Sequence, residues 1–103
     1  MKVIEKENEF NNFIDSKKPV IVVFATHDCA TCVPIEKKID EKFSDVEKAK
    51  VYLDDLPTLR GSLGIFNVPV VCIYLESREF ARFIRVFSIR EIEEKLNRIL
   101  EFI

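Results

Sequence analysis

Two uninterrupted apolar runs dominate the hydrophobic pattern of the chain, over residues 20–25 and 68–75. The first is β-branched and uncharged, which is typical of a strand that is covered on both faces in a parallel sheet. The second has the same character, and its proline is tolerable because it stands near the start of the run. The polar residues 76–79 then predict a turn into a strand over 80–87, so these two strands form an antiparallel hairpin.

The first half of the chain also shows helical spacing of apolar residues. A short strand over residues 3–4 precedes a helix that we expect Asn8 to cap. A second, amphipathic helix has Cys29 at its N-terminal edge and Pro34 in its first turn, where the missing N–H of proline costs little. Its apolar positions fall four residues apart, at Ile35, Ile39 and Phe43.

The second half completes an alternating order. Residues 49–53 predict a middle strand, and Gly64 ends the short third helix that follows it. Ser88 and Glu91 match a capping box at the start of a terminal helix. The order is β-α-β-α-β-α-β-β-α, which predicts an α/β fold in a single domain over residues 1–103.

Composition and charge exclude several classes of protein. Of the 103 residues, 48% are hydrophobic and nine are Phe, enough for a core that needs no metal or disulfide framework. The net charge of -2, with both signs interspersed, argues against a nucleic-acid partner. The run over 20–25 is about a third as long as a membrane-spanning helix, and residues 1–8 turn polar too early for a secretory signal. We therefore expect no membrane partner and a cytoplasmic location.

Three cysteines are too few and too unevenly spaced for a disulfide framework. Cys29 and Cys32 form a C-x-x-C pair, whereas Cys72 stands alone in an apolar run. In a reducing compartment such a pair is more typical of catalysis or metal binding than of structure. For Cys72 we favour the interpretation of a small buried hydrophobe.

The position of the C-x-x-C pair favours thiol-disulfide exchange. Only a thiolate attacks a disulfide, and the free N–H groups and positive dipole at a helix N-terminus stabilise that anion on Cys29. Cys32, one turn further along, can attack the mixed disulfide that Cys29 forms. The residues therefore predict Cys29 as the nucleophile and Cys32 as the resolving thiol.

Other interpretations of neighbouring residues remain open. His27 precedes the pair in an H-x-C-x-x-C cluster, which could begin a zinc site or accept an iron-sulfur cluster. Because no fourth ligand follows from the pattern, we favour a solvated loop residue for His27 and predict no metal and no cofactor. Phe66 could offer an apolar contact to a partner protein, although ordinary packing near a turn is the favoured interpretation.

Several stretches together carry a resemblance to a known family. They are residues 20–32, 51–54 with Pro57, 64–65, Val68-Pro69, and the final hairpin and helix. Over essentially its whole length the chain resembles the thioredoxin family. The resemblance implies a thioredoxin fold, with a central mixed sheet of four to five strands flanked by helices. It also implies that Pro69 is cis beside the dithiol, and that Val68 and Pro69 offer a substrate peptide a backbone edge.

The resemblance further implies an activity and partners. A thiol-disulfide oxidoreductase of this kind takes electrons from a thioredoxin reductase or a small-thiol reductant and passes them to disulfide-containing protein substrates. The alternative is a thioredoxin-like adaptor module whose cysteine pair is non-catalytic or binds a metal.

The chain departs from the family pattern around the dithiol. Asp28 replaces the usual tryptophan, and its charge disfavours a thiolate on Cys29. Ala30-Thr31 replaces the usual Gly-Pro, which changes the helix start and hence the redox potential. Arg85 stands where many members have glycine, and it could offset Asp28 or narrow the substrate groove.

A further departure concerns proton transfer. The buried acid of many members aligns with Val23, so the proton relay for Cys32 needs another group. Lys50, which aligns with a lysine near that acid, is one candidate.

Overall fold

The computed structural model describes all 103 residues and has the predicted order of strands and helices. The strands are β1 (Lys2–Ile4), β2 (Val20–Ala25), β3 (Glu47–Tyr52), β4 (Val70–Leu75) and β5 (Arg78–Ile84). The helices are α1 (Glu7–Ile14), α2 (Cys32–Lys42), α3 (Pro57–Leu63) and α4 (Ile89–Glu101). No helix has both the length and the apolar content needed to cross a membrane.

The five strands form one mixed sheet in the order β1-β3-β2-β4-β5. β1 and β2 run parallel to β3, whereas β4 pairs antiparallel with both β2 and β5. All six residues of β2 are buried, so the prediction of a strand covered on both faces is confirmed. Because Phe24 pairs with Val70, Pro69 comes to the carboxyl end of β2, where the loop to the dithiol departs.

Alternation along β2 builds a hydrophobic core on each side of the sheet. Val22 and Phe24 pack in one cluster with side chains of α1 and α3, including Phe10 and Leu59. Ile21 and Val23 pack in the other cluster with side chains of α2 and α4, including Ile39 and Ile92. The sheet therefore lies between two helical layers, and α2 holds the dithiol on the Val23 side.

Local capping signals are confirmed at two helix ends and wrong at one. Gly64 takes the left-handed conformation after α3, at φ 67°, and the hydroxyl of Ser88 accepts the N–H of Glu91 at 3.2 Å. The prediction of Asn8 as a cap is wrong because α1 begins at Glu7. The carboxylate of Glu9 instead reaches back to the N–H of Glu5 at 2.9 Å, which satisfies a donor before the helix.

Strand bounds differ from the prediction mainly at the hairpin. β5 begins at Arg78 instead of residue 80, because the turn is made by Glu76 and Ser77 alone, with φ of 50° and 67°. Two positive φ values suit the twist of a two-residue hairpin. β5 then ends at Ile84, ahead of residue 87, since the chain turns at Arg85.

Candidate active site

The two cysteines of the C-x-x-C motif lie between β2 and α2 and form a disulfide, with their Cα atoms 5.4 Å apart. Cys32 is the first residue of α2 and is 1% exposed, whereas Cys29 is half-buried in the preceding turn. The N–H of Cys29 donates to the carbonyl of Thr26, and that of Cys32 donates to the carbonyl of Cys29, both at 3.2 Å. The fold thus makes Cys29 the sulfur that another molecule can reach.

Cys29 precedes the N-cap residue of α2, Thr31, by two positions. The Thr31 hydroxyl lies 3.4 Å from the sulfur of Cys29, within hydrogen-bond range for sulfur. A donated O–H stabilises a thiolate more than a thiol. Sequence reasoning missed this role of Thr31 and treated the residue only as a departure from the family pattern.

Asp28 lies beside Cys29 and is tied to the loop. The Thr26 hydroxyl donates to a carboxylate oxygen of Asp28 at 2.7 Å, and the Asp28 side chain is exposed. Water therefore screens its charge, which limits the effect of Asp28 on Cys29.

His27 contacts Tyr52 and two acids. Its ring stacks on Tyr52 with centroids 3.8 Å apart, and its Nε2 lies 2.8 Å from a carboxylate oxygen of Asp55. That hydrogen bond raises the pKa of His27. The ligand atoms of His27, Asp54 and Asp55 lie within 4.8 Å of one another, and neither cysteine belongs to this group. The structure therefore does not bring together the H-x-C-x-x-C ligands considered above.

Val68 and Pro69 form the backbone edge beside the dithiol loop. The Val68–Pro69 peptide bond is cis, as the resemblance implied. The carbonyl of Pro69 accepts the N–H of Arg85 at 2.8 Å, whereas neither the N–H nor the C=O of Val68 has a hydrogen-bond partner within the chain. An extended peptide can pair with these free groups.

Arg85 occupies a tight turn against this edge. Its φ is 54°, and the N–H of Val86 donates to the carbonyl of Ile84 at 2.6 Å across it. The Arg85 side chain is exposed and has no carboxylate within 4.0 Å. The backbone of Arg85 is thus held against Pro69, and its guanidinium is exposed and unpaired.

Exposed apolar side chains border the same region. Phe66, Ile84 and Val86 are 66%, 53% and 93% exposed. The favoured interpretation of Phe66 as ordinary packing is wrong, because the neighbouring Ile65 takes the inward position and is 2% exposed. We call Phe66, Ile84 and Val86 the apolar rim.

Lys50 lies beside Val23 on the sheet face that α2 covers. Its Nζ donates to a carboxylate oxygen of Glu36 at 2.9 Å and lies 4.4 Å from the ring centroid of Tyr52. Burial acts to lower the pKa of Lys50, but its contacts with Tyr52 and Glu36 outweigh burial and raise the value. Sequence reasoning named Lys50 and missed Glu36, although Glu36 follows Cys32 by four residues on a helix, a spacing that places both on one face.

Comparisons with known proteins agree with this geometry. The thioredoxin family model matches residues 1–98. A thioredoxin-like protein of Bacillus subtilis, YdfQ, is 25% identical over 91 residues, which cover 85% of this chain and 81% of that protein. A thioredoxin of Chlamydia caviae is 29% identical over 85 residues, which cover 80% of this chain and 81% of that protein.

Solved structures show the same fold. The thioredoxin of Fasciola hepatica superposes with a TM-score of 0.80 at 19% identity, covering 95% of this chain and 98% of that one. The thioredoxin NaTrxh of Nicotiana alata has a TM-score of 0.79 at 20% identity, with coverage of 94% and 90%. Since the family match spans nearly the whole sequence and the fold holds a joined pair of cysteines, the chain belongs to the thioredoxin family and is a thiol-disulfide oxidoreductase.

Proposed function

We propose that this protein reduces disulfide bonds in other proteins, with Cys29 as the attacking sulfur and Cys32 as the resolving sulfur. The observation that carries the assignment is the asymmetry of the pair. Cys29 is half-buried, whereas Cys32 is 1% exposed. Only Cys29 can meet a bulky substrate, so Cys32 acts afterwards, from within the protein.

The proposed reaction transfers two electrons in two steps. The Cys29 thiolate attacks one substrate sulfur, the substrate disulfide breaks, and the released thiolate takes a proton from water. Cys32, as a thiolate, then attacks the Cys29 sulfur and displaces the second substrate sulfur, which is also protonated. The protein dithiol is oxidised to a disulfide, and the substrate disulfide is reduced to two thiols.

The proposed substrate site is the edge formed by Val68 and Pro69. An extended segment flanking the substrate disulfide would pair with the free N–H and C=O of Val68. The apolar rim gives that segment hydrophobic contacts, and the free guanidinium of Arg85 favours acidic residues next to the substrate cysteine.

We further propose that a thioredoxin reductase or a small thiol returns the disulfide to the dithiol, and that the protein works in the cytoplasm. Support for a reducing environment comes from the cysteine content, since the chain has one C-x-x-C pair and no framework of structural disulfides. The incoming reductant attacks Cys29, because Cys32 is buried and Cys29 is the sulfur that another molecule can reach.

Reduction of insulin by dithiothreitol, followed as turbidity, tests the proposal. The native protein should accelerate the reaction, and Cys29→Ser should abolish the acceleration. Cys72→Ala is the matched control, because it removes a thiol that lies inside the core and should leave the rate unchanged.

A rate that survives Cys29→Ser would overturn the assignment. A protein without activity that carries zinc or iron in stoichiometric amount would favour the adaptor or metal-binding alternative instead. Cys32→Ser adds a positive result, since it should trap substrate proteins on Cys29 as stable mixed disulfides.

A further inference from the structure

The second step of the proposed reaction poses a problem of proton transfer, and the inference below rests on that function. Cys32 must lose its proton before it can attack Cys29. Its side chain is 1% exposed, so water reaches it poorly, and none of the buried residues is charged. The proton acceptor must therefore be a group at the boundary of the core.

Glu36 stands at this boundary. It follows Cys32 by four residues within α2, so the two side chains lie on the same helix face, about 5–6 Å apart at their Cβ atoms. The Glu36 side chain is 15% exposed. The later acids of the helix, Asp40 and Glu41, are exposed, which leaves Glu36 as the inward-facing carboxylate of α2.

Lys50 fixes the position of this carboxylate from the opposite layer. It reaches up from β3, beside the apolar Val23, and donates to Glu36 at 2.9 Å with a side chain that is also 15% exposed. The ring of Tyr52 flanks the ammonium at 4.4 Å. The hydrogen bond between Lys50 and Glu36 therefore joins β3 to α2.

A path for the proton continues from Glu36 to solvent. Glu36 and Lys50 line an open cavity of about 340 Å³ at the protein surface. Its other charged groups are the N-terminus of Met1, Lys37 and Asp40, and the Tyr52 phenol is a further titratable group beside Lys50. Water in this cavity can exchange protons with the carboxylate.

We propose that Glu36 is the proton acceptor for Cys32 and that Lys50 is its positioning residue. The S–H bond of Cys32 breaks, and the proton moves to a carboxylate oxygen of Glu36. The electron pair left on Cys32 forms the bond to the Cys29 sulfur, while the bond between Cys29 and the substrate sulfur breaks with its electron pair on the substrate. Glu36 then releases the proton to water in the cavity. When a reductant reopens the disulfide, the same carboxyl group protonates the departing Cys32.

Glu36→Gln tests the proposal, with oxidised glutathione as the probe. The reduced protein is mixed with oxidised glutathione, and samples are quenched with acid at intervals. Mass spectrometry then distinguishes the mixed disulfide of Cys29 with glutathione from the Cys29–Cys32 disulfide by mass. The variant should resolve the mixed disulfide at least about 100-fold more slowly than the native protein, so this intermediate accumulates. The pH dependence of resolution should also lose the contribution of the carboxylate.

Two controls separate this step from the proposed function. In a Cys32→Ser background, the rate of mixed-disulfide formation at Cys29 should be the same with and without Glu36→Gln, because Glu36 does not serve the first attack. Glu41→Gln removes an exposed acid of the same helix and should leave resolution unchanged. If the native protein forms no mixed disulfide at all, the proposed function fails, and not merely the role of Glu36.

Two further variants separate proton transfer from structure. Glu36→Gln alone leaves Lys50 without a charged partner, whereas Glu36→Gln with Lys50→Gln removes both charges. The double variant should fold stably yet remain slow, and Glu36→Asp should restore part of the rate. Native-like resolution and pH dependence in either glutamine variant would overturn the proposal.

Discussion

Replacing Arg85 by glycine should stabilise this protein, although it deletes a large side chain. The backbone of Arg85 has a φ of 54°, in the left-handed region. That region costs a non-glycine residue about 1–2 kcal/mol. Glycine avoids this cost but loses more freedom on folding, worth roughly 0.5–1 kcal/mol. Since the guanidinium makes no ion pair, little else is lost, and the net gain is about 0.5–1 kcal/mol.

Urea unfolding of the oxidised protein, followed by circular dichroism, measures the gain in the free energy of unfolding. The midpoint should rise with an unchanged slope, and the melting temperature should increase by roughly 4–8 °C for each kcal/mol gained. Arg78→Gly is the matched control, because Arg78 is also exposed and without an ion pair, at the start of β5 with ordinary strand backbone. Glycine there should lower stability, by about 0.5–1 kcal/mol for backbone freedom and by a further ~0.5–1 kcal/mol for the lost contact of the guanidinium with the Phe80 ring, whose centroid lies 5.8 Å away.

The two substitutions are thus expected to have opposite signs. Equal destabilisation by both would refute the argument from backbone conformation, and would mean that the Arg85 side chain contributes contacts that outweigh the cost of its φ.

The remaining predictions concern three polar groups around the dithiol and in the core. Asp55→Asn should lower the pKa of His27 towards about 6.5, which an NMR titration can follow because the chain has one histidine; an unshifted titration would contradict the role of Asp55. Because the native pKa of His27 is raised, its pairing with Asp55 should stabilise the protein below about pH 6.5 and lose this effect as pH rises through the native value. Thr31→Val should slow alkylation of Cys29 by roughly fivefold, the equivalent of one hydrogen bond of about 1 kcal/mol, without loss of a helix cap, and an equal rate would exclude that bond. Burial raises the pKa of Cys72 to about 12, so iodoacetamide at neutral pH should label Cys29 in the reduced native protein and Cys72 only after unfolding, as read by mass spectrometry.

Much of the fold could be predicted from local signals. The strand over residues 20–25 was predicted with its observed bounds, because a continuous β-branched run has few other stable environments. The predictions for Gly64 as a helix end and Ser88 as a helix cap are confirmed for a similar reason, since each residue satisfies backbone groups within a few residues of itself. The Asn8 cap failed because α1 begins earlier, at Glu7 after the N-cap residue Lys6, so Asn8 lies inside the helix.

The candidate site was predictable only in part. The dithiol, the proline edge and Lys50 carry sequence signals, either in their spacing or in the family resemblance. No sequence signal indicates the acid of the site. The strand position where many family members carry an acid holds Val23, and the carboxylate of Glu36 comes from α2 instead. The exposure of Phe66 likewise depends on which of two adjacent apolar residues faces the core.

The sequence by itself determined the order of elements, the buried strand and the pair of cysteines, because each depends on spacing within one short segment. Only the tertiary structure decided the partner of Lys50, the free edge at Val68 and the turn at Arg85, because each joins residues from different elements. Contacts of this kind depend on strand register and on how a helix rotates against the sheet, and neither is encoded in any single segment of the chain.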